Sequence, residues 1–508
     1  MMDDVKLPLS ADTKTAEAYT SEGDSKLIIQ KKELPQMELV QPVIGLTKEQ
    51  LEKYRNDPFW KPFRMFMFVL FWLIWVAMFV GAVLIVVFSP KCAIEKDVQW
   101  WEAKVSYQIF TSSFRDSDRD GVGDFKGIAE KLEEIRKIGV QNVWATPVIA
   151  TDKDDFDPYE VSDLMQVDER FGDIESLKYL ITEVHRFNMH FVMDFPISTT
   201  SRKHTWFVKA SKGDEVFKDY YLWKKTTEVE TDSRFKTMNG SAESYMTYNE
   251  KLPIVNLQNK DVRIAVANAA KKYLDLGVDG FYIPLVNQVC KTDQNLSSAH
   301  LVSEALKYLK NEIENYTGSF KERQGKDVVI FTSMTDLNQL DGISDYAKNN
   351  NFSFVHYVID DSMKKLSKVS WLYNDSCTDT GISQCVYSKL KQSMENFKGK
   401  NLPYFWQFTD YRVSRLSSRF NQQIGNLLTF MELTLPGGIE IYYGQEIGMP
   451  NADEKTGQFT GLMQWDGSEK TGFTEEAKMD LFFGRTADYK LTNYKVLLFQ
   501  IYYNSWKN

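Results

Sequence analysis

Cysteine is scarce, with four in 508 residues, too few for a chain held together by a dense disulfide framework. A basic excess is lacking as well. Lys and Arg number 61 against 70 Asp and Glu, giving a formal net charge of −9 and a pI near 5.4. Without surplus cations to release counterions from a phosphate backbone, nucleic acid is excluded as the main partner. Long apolar runs are absent with one exception, and mean hydropathy is −0.38, which excludes a polytopic membrane protein. Residues 1–50 hold a single aromatic, Tyr19, and mix charges of both signs without an apolar period. Such a segment buries too little surface to offset its ordering entropy and is expected to be mostly disordered. The rest is rich in core material: hydrophobic residues make up 43% of the chain and aromatics 14%. The length suggests two to four structural units.

The exception is Met65–Phe88, without one charge. As a helix it is about 36 Å long, enough to cross a hydrocarbon core of ~30 Å. Lys48, Lys53, Arg55, Lys61 and Arg64 precede it, whereas Lys91, Lys96 and Lys104 follow, a bias that favours a cytosolic N-terminus. The Asn-x-Ser/Thr acceptors at Asn239, Asn295, Asn315, Asn351 and Asn374 all follow the run, and glycosylation needs a luminal location. The expected organisation is a cytoplasmic tail (1–64), a type II transmembrane helix (65–88), a neck (89–99) and an extracellular domain (100–508).

Past Cys92, short β-branched runs alternate with longer helical ones. The expected strands are Val105–Phe110, Gln141–Val148, His190–Phe195, Gly280–Leu285, Val328–Ser333, Phe354–Ile359, Pro403–Phe408 and Ile439–Gly444. Between them, Ile128, Leu132, Ile135 and Ile138, then Leu177, Leu180, Ile181 and Val184, follow helical spacing. Near-continuous apolar strands separated by amphipathic helices fit a sheet buried on both faces. Eight units predict an α/β fold of the (β/α)8 type; a doubly wound open sheet remains the alternative on pattern alone.

Trp100-Trp101, VSYQIFTSSFRDSDRDGVGDFKGI, FDPYEVSDLMQVDERFGD, LTLPGGIEIYYGQEIGM and MQWD resemble the α-glucosidase branch of glycoside hydrolase family 13, over about residues 100–470. The resemblance implies a TIM barrel. It also implies two carboxyl groups about 5 Å apart in any active retaining member. The family's nucleophile stands in Gly-Phe-Arg-x-Asp after the fourth strand. This chain reads Gly280-Phe281-Tyr282-Ile283-Pro284, then Asn287-Gln288 where the family has Lys-His. The acid's place after strand five falls on Ser333 or Met334, with Asp336 displaced by two or three positions. Ser198-Thr199 replace an Asn-His pair, although Asp194 is kept, and the last Asp-x-x-Arg element aligns to Arg412 and Arg415, or to Asp410 with a slip. The expectation is therefore a barrel without hydrolysis.

An apolar anchor ahead of such a barrel, with GLTKEQLEKY at Gly45–Tyr54 and Ser89-Pro90-Lys91-Cys92 before Trp100-Trp101, resembles the heavy subunits of heteromeric amino-acid transporters, the rBAT and 4F2 heavy-chain family. That resemblance implies a plasma-membrane glycoprotein whose neck cysteine, matched by Cys92, forms a disulfide to a multi-span light subunit that does the transporting. Domain B, about Trp206–Leu257, is shorter than in active glucosidases, and the 42 residues after Asp466 are too few for the family's C-terminal β-sandwich, which is expected to be missing or vestigial. A membrane-anchored glucosidase-like hydrolase and a surface adhesion or receptor scaffold are the competing functions.

Two smaller readings complete the analysis. Asp116, Asp118, Asp120 and Asp124 cluster hard oxygen donors at two- and four-residue spacing around Gly121 and Gly123, as Ca²⁺ prefers. The loop resembles the family's calcium loop, in which the backbone carbonyl at the position of Val122 also binds. Cys377 and Cys385 bracket a short polar loop and are expected to pair on the oxidising side of the membrane, leaving Cys290 free.

Overall fold

The computed structural model describes residues 48–55, 57–88, 99–102, 104–153, 156–229, 232–238, 242–286, 298–319, 327–334, 355–367, 375–377, 381–398, 403–452, 458–475 and 482–507. The chain divides into two units, Met1–Glu95 and Lys96–Asn508.

In the first unit a short helix, Lys48–Arg55, precedes a long one, Trp60–Phe88. The long helix is long and apolar enough to cross a membrane, and its apolar stretch is not buried. It starts five residues before the expected Met65. Pro62 sits in its first turn, where a missing N–H costs no intrahelical bond, and Arg64 donates from Nη2 to the Tyr54 carbonyl at 2.5 Å. The apolar run is thus the body of a longer helix whose first turn carries charge.

The second unit is a closed parallel barrel. Its strands are β1 (Val105–Phe110), β2 (Asn142–Thr146), β3 (His190–Asp194), β4 (Gly280–Ile283), β5 (Val329–Met334), β6 (Tyr357–Asp360), β7 (Tyr404–Trp406) and β8 (Gly438–Tyr442). They pair in chain order, and β1 closes on β8 with Val105 opposite Ile439 and Gln108 opposite Tyr442. All eight expected strands are in the ring, and the open sheet is ruled out. Several end early for local reasons. Pro147 and Pro284 lack the N–H that a ladder needs, and Gly444 has left-handed backbone with φ +80°. Helices between strands carry the expected signals. Asp173 caps Ile174–Arg186 by accepting from the Ser176 N–H at 2.9 Å. Asn259 caps Lys260–Leu276, which ends at Gly277 with φ +108°.

Alternate strand residues fill the barrel: Trp144, Val192, Tyr282, Val329, Phe331, Tyr357, Ile359 and Phe405 form one buried cluster. Tyr357 stacks on Phe405 with ring centroids 3.7 Å apart and on Phe331 at 4.5 Å. Gly438 makes room for this, since a Cβ there would lie 1.8 Å from the Phe405 ring. At the opposite end from the catalytic face of such barrels, Trp101 joins the same cluster. Trp100 stacks on His190 at 4.1 Å and donates Nε1 to the Asp327 carbonyl at 3.1 Å. A larger apolar layer lies between strands and helices.

Between β3 and β4 the chain forms a three-stranded antiparallel sheet, Trp223–Lys225, Glu243–Met246 and Phe235–Thr237 in that order. Among the described residues after β8 there is a helix, Tyr494–Lys507, and no strand.

Candidate functional site

In a (β/α)8 barrel, chemistry belongs to the C-terminal ends of the strands. The β3 end supplies Asp194, 2% exposed. It accepts from Trp144 Nε1 at 2.6 Å, Thr146 Oγ1 at 2.7 Å and Tyr411 OH at 3.4 Å. Burial pushes its carboxyl up to about 7, against those donors and the Arg412 charge. The β4 and β5 ends supply Tyr282 and Ser333, whose hydroxyls are bonded at 2.6 Å. Burial holds the Tyr282 phenol far above the ordinary tyrosine range, so it stays neutral. Pro284 offers only its backbone carbonyl, 3.5 Å from Ser198 Oγ. The described side chains at these two strand ends include no carboxylate. Asn287, Gln288 and Asp336 lie outside the described residues, as does the side chain of Met334.

Beyond β6 and β7 sits an ionic knot, buried except for Arg412, whose side chain is 31% exposed. Lys364 Nζ reaches Asp361 at 2.5 Å, Asp410 at 2.7 Å and Gln407 Oε1 at 2.6 Å. Arg412 Nη2 lies 2.6 Å from the same Asp410 oxygen. Burial alone would raise the Asp410 carboxyl, but Arg412 and Lys364 outweigh it and hold the group well below the usual carboxylate range. A carboxylate held by two cations is a poor base and a poor proton donor. Of the two alignments open in the sequence, the structure buries Asp410 in this knot and leaves Arg415 between the Tyr442 and Tyr443 rings, 4.6 Å from each centroid. Sequence reasoning missed Lys364: in DDSMKK it reads as a solvated lysine, and only the fold reveals it as 3% exposed.

In the acidic loop, Asp116, Asp118 and Asp120 bring ligand oxygens within 4.8 Å of one another. Burial first, then neighbouring carboxylate charge, raises Asp118 and Asp120. Asp124 is used differently. Its carboxylate caps the helix Phe125–Glu130 by accepting from the Gly127 N–H at 2.7 Å, and also accepts from Ser117 N and Oγ, each at 2.7 Å. The Val122 N–H donates to Asp120 at 2.8 Å.

Cys377 and Cys385 form a disulfide with Cα atoms 5.6 Å apart. Cys92 and Cys290 lie outside the described residues. Among the glycosylation candidates, Asn315 is exposed on the helix Ser298–Gly318. Asn239, Asn295, Asn351 and Asn374 lie outside the described residues.

Comparison with known proteins gives two family matches. Residues 108–500 match the alpha-amylase catalytic domain, and residues 31–107 match the N-terminus of solute carrier family 3 member 2. The amino acid transporter heavy chain SLC3A1 of Rattus norvegicus is 28% identical over 484 residues, covering 87% of this chain and 68% of the relative. The Homo sapiens protein of that name is 27% identical, covering 91% and 71%. An oligo-1,6-glucosidase of Bacillus cereus is 26% identical over 392 residues, covering 70% and 66%. Among solved structures, trehalose-6-phosphate hydrolase of Bacillus licheniformis superposes with a TM-score of 0.65 at 22% identity, covering 78% of this chain and 80% of the other. At that identity the likeness concerns the fold.

Proposed function

We propose that this chain, which belongs to the alpha-amylase catalytic-domain family and to the amino-acid transporter heavy chains built on that domain, is a non-catalytic subunit that binds, stabilises and delivers a multi-span amino-acid transporter to the plasma membrane. The observation that carries the reading is the combination of a heavy-chain N-terminus with a barrel whose β4 and β5 ends present a Tyr282–Ser333 hydroxyl pair and Pro284. A hydroxyl pair of raised phenolic pKa neither attacks an anomeric carbon nor protonates a leaving group at neutral pH.

In this reading the helix Trp60–Phe88 spans the membrane with the N-terminus cytosolic, and the barrel is extracellular. Cys92, shortly beyond the helix, forms the covalent link to the light subunit. Tethering raises effective concentration, so weak contacts suffice once the bond is made. Asp116, Asp118 and Asp120 would hold a structural Ca²⁺, helped by Asp124 and the Val122 carbonyl; their converging oxygens and mutual repulsion suit a divalent cation. The ion would hold the loop after β1 in one conformation by joining residues of the loop to one another.

Co-expression tests the proposal. The full chain should raise surface level and amino-acid uptake of a candidate light subunit, and Cys92→Ser should remove the high-mass band on a non-reducing gel. If no light subunit responds, the heavy-subunit reading is wrong. The glucosidase relatives favour hydrolysis as the second reading; turnover of maltose by the purified chain, lost on Asp194→Asn, would establish it instead.

A further inference from the structure

Among the described residues one Asn-x-Ser/Thr acceptor, Asn315-Tyr316-Thr317, lies inside a helix, Ser298–Gly318 between β4 and β5. Such triplets are usually read on surface loops, and the helix splits this one in two. Each position turns by about 100°, so Asn315 and Thr317 point about 200° apart. Asn315 is exposed, beside the exposed Asn311 and Glu314. Thr317 is 9% exposed and lies on the inner side with Leu309 and Ile313. Its hydroxyl is taken by the helix's own backbone, donating to the Ile313 carbonyl at 2.9 Å and lying 3.2 Å from that of Glu314. Tyr316, between them, donates from its OH to Asp275 of the neighbouring helix Lys260–Leu276 at 2.7 Å. Lys271 of that helix pairs with Glu312 at 2.7 Å.

We infer that Asn315 carries an N-linked glycan and receives it before this helix packs onto the barrel. Transfer reads the Asn amide and the hydroxyl two residues on together. Asn315 Nδ2 attacks the anomeric carbon of an oligosaccharide carried on a lipid pyrophosphate. The new C–N bond replaces the C–O bond to phosphate, the amide gives up one proton, and the lipid pyrophosphate leaves. The folded helix offers the amide on one side and withholds the hydroxyl on the other, so the step belongs to the open chain.

The fold leaves time for it. A helix draws most of its stability from packing, and this one is fully supported only when the barrel closes. Closure needs β8, about 120 residues further on, or ~6–24 s at roughly 5–20 residues per second. Once attached, the glycan stands out to solvent and leaves the packed side of Leu309, Ile313 and Thr317 untouched. The inference rests on the extracellular placement of the barrel in the proposed function.

Peptide mapping of the full chain, purified from a cell that glycosylates secreted proteins, tests it. Wild type should yield the Asn315 peptide with a glycan. Asn315→Gln and Thr317→Val should each lose it, whereas Thr317→Ser, which keeps a hydroxyl, should retain it. The order of events is read on full chain made under an inhibitor of lipid-linked oligosaccharide synthesis. That chain is offered to the transferase and its donor, either native in detergent or freshly diluted from denaturant. The native chain should be modified at Asn315 at least about tenfold more slowly, because the site opens only when the helix does. A bare Asn315 beside an occupied Asn239, Asn295, Asn351 or Asn374 overturns the inference and leaves the extracellular reading standing. All of these acceptors bare overturns both. Equal rates on native and unfolded chain overturn the order of events.

Discussion

Replacing Glu440 with Gln should change the pH dependence of stability more than the stability itself. Glu440 points into the barrel from β8, is 0% exposed, and accepts from Tyr357 OH on Oε1 at 2.9 Å. Oε2 has no partner. Burial pushes its carboxyl from 4.5 up to about 8, opposed by the Tyr357 bond and the nearby Ser106 hydroxyl. The unfolded chain loses this proton near the ordinary value while the native chain keeps it, so the native state binds more protons between the two. Stability therefore falls as pH rises through that window and levels off above the folded value. At 1.36 kcal/mol per unit, the cost is about 2 kcal/mol by pH 6 and about 5 kcal/mol by pH 8. Gln keeps an acceptor for Tyr357 and never ionises, at a price of about 1–2 kcal/mol for its unpaired amide. The variant should be level with or slightly below wild type at pH 5 and about 3 kcal/mol more stable at pH 8. Guanidinium unfolding of the full chain in detergent, followed by tryptophan fluorescence, measures both, because Trp144 sits in the same interior cluster. Asp194 and Glu432, whose carboxyls burial also raises, are common to both proteins and cancel in the difference. A wild-type-minus-variant difference that is constant from pH 5 to 8 would refute the reasoning.

Trp101→Ala should cost about 3–5 kcal/mol by leaving a cavity under the interior stack, and Trp100→Ala clearly less, since Trp100 is only half-buried; denaturant midpoints at one pH compare them. Chelator should lower the melting temperature of the wild-type chain and leave Asp116→Asn unmoved, because an ion bound to the native state stabilises it by mass action; identical wild-type melts with and without chelator remove the calcium proposal. Cys377→Ser with Cys385→Ser should lose about 2–3 kcal/mol, the loop-closure entropy of a short loop, with peptide mapping confirming the 377–385 bridge in wild type.

The ring of eight strands was legible because each is buried on both faces and reads as an unbroken apolar run between amphipathic helices. Strand ends were less so. Gln141–Val148 closes to Asn142–Thr146 and Phe354–Ile359 shifts to Tyr357–Asp360, since a ladder stops where the neighbouring strand stops and not where hydrophobicity ends. At the site, Asp194, Tyr282, Pro284 and Ser333 could be named from motif spacing. That Tyr282 and Ser333 bond to each other could not, because they lie 51 residues apart and only barrel register brings them together. Asp124 has a second use that its spacing did not announce. Its place in the acidic run also suits a helix N-cap, and its carboxylate accepts from the Gly127 N–H at 2.7 Å.

Why the barrel holds together with no carboxylate among the described side chains at the β4 and β5 ends follows from where its packing lies. The interior stack of Trp144, Phe331, Tyr357 and Phe405 sits below the strand ends, and large aromatic side chains dominate core energetics through their buried area. None of these four needs a reacting group for its packing. The mouth adds fixed bonds of its own. Tyr282 contributes its ring to the stack, 4.7 Å from Trp144, while its hydroxyl satisfies Ser333. An arginine at 282 would instead bring a buried charge that competes with Arg412 for the Asp194 and Asp361 carboxyls, and Pro284 adds none. Tyrosine at 282 and proline at 284 are thus mutually consistent choices. Placing an arginine there, with Tyr282→Arg, would remove the ring from the stack and bury a further cation beside Arg412, destabilising the barrel by about 3–5 kcal/mol, which the same unfolding assay reads. A Tyr282→Arg chain as stable as wild type would mean that the mouth admits solvent and that the hydroxyl pair does not close it.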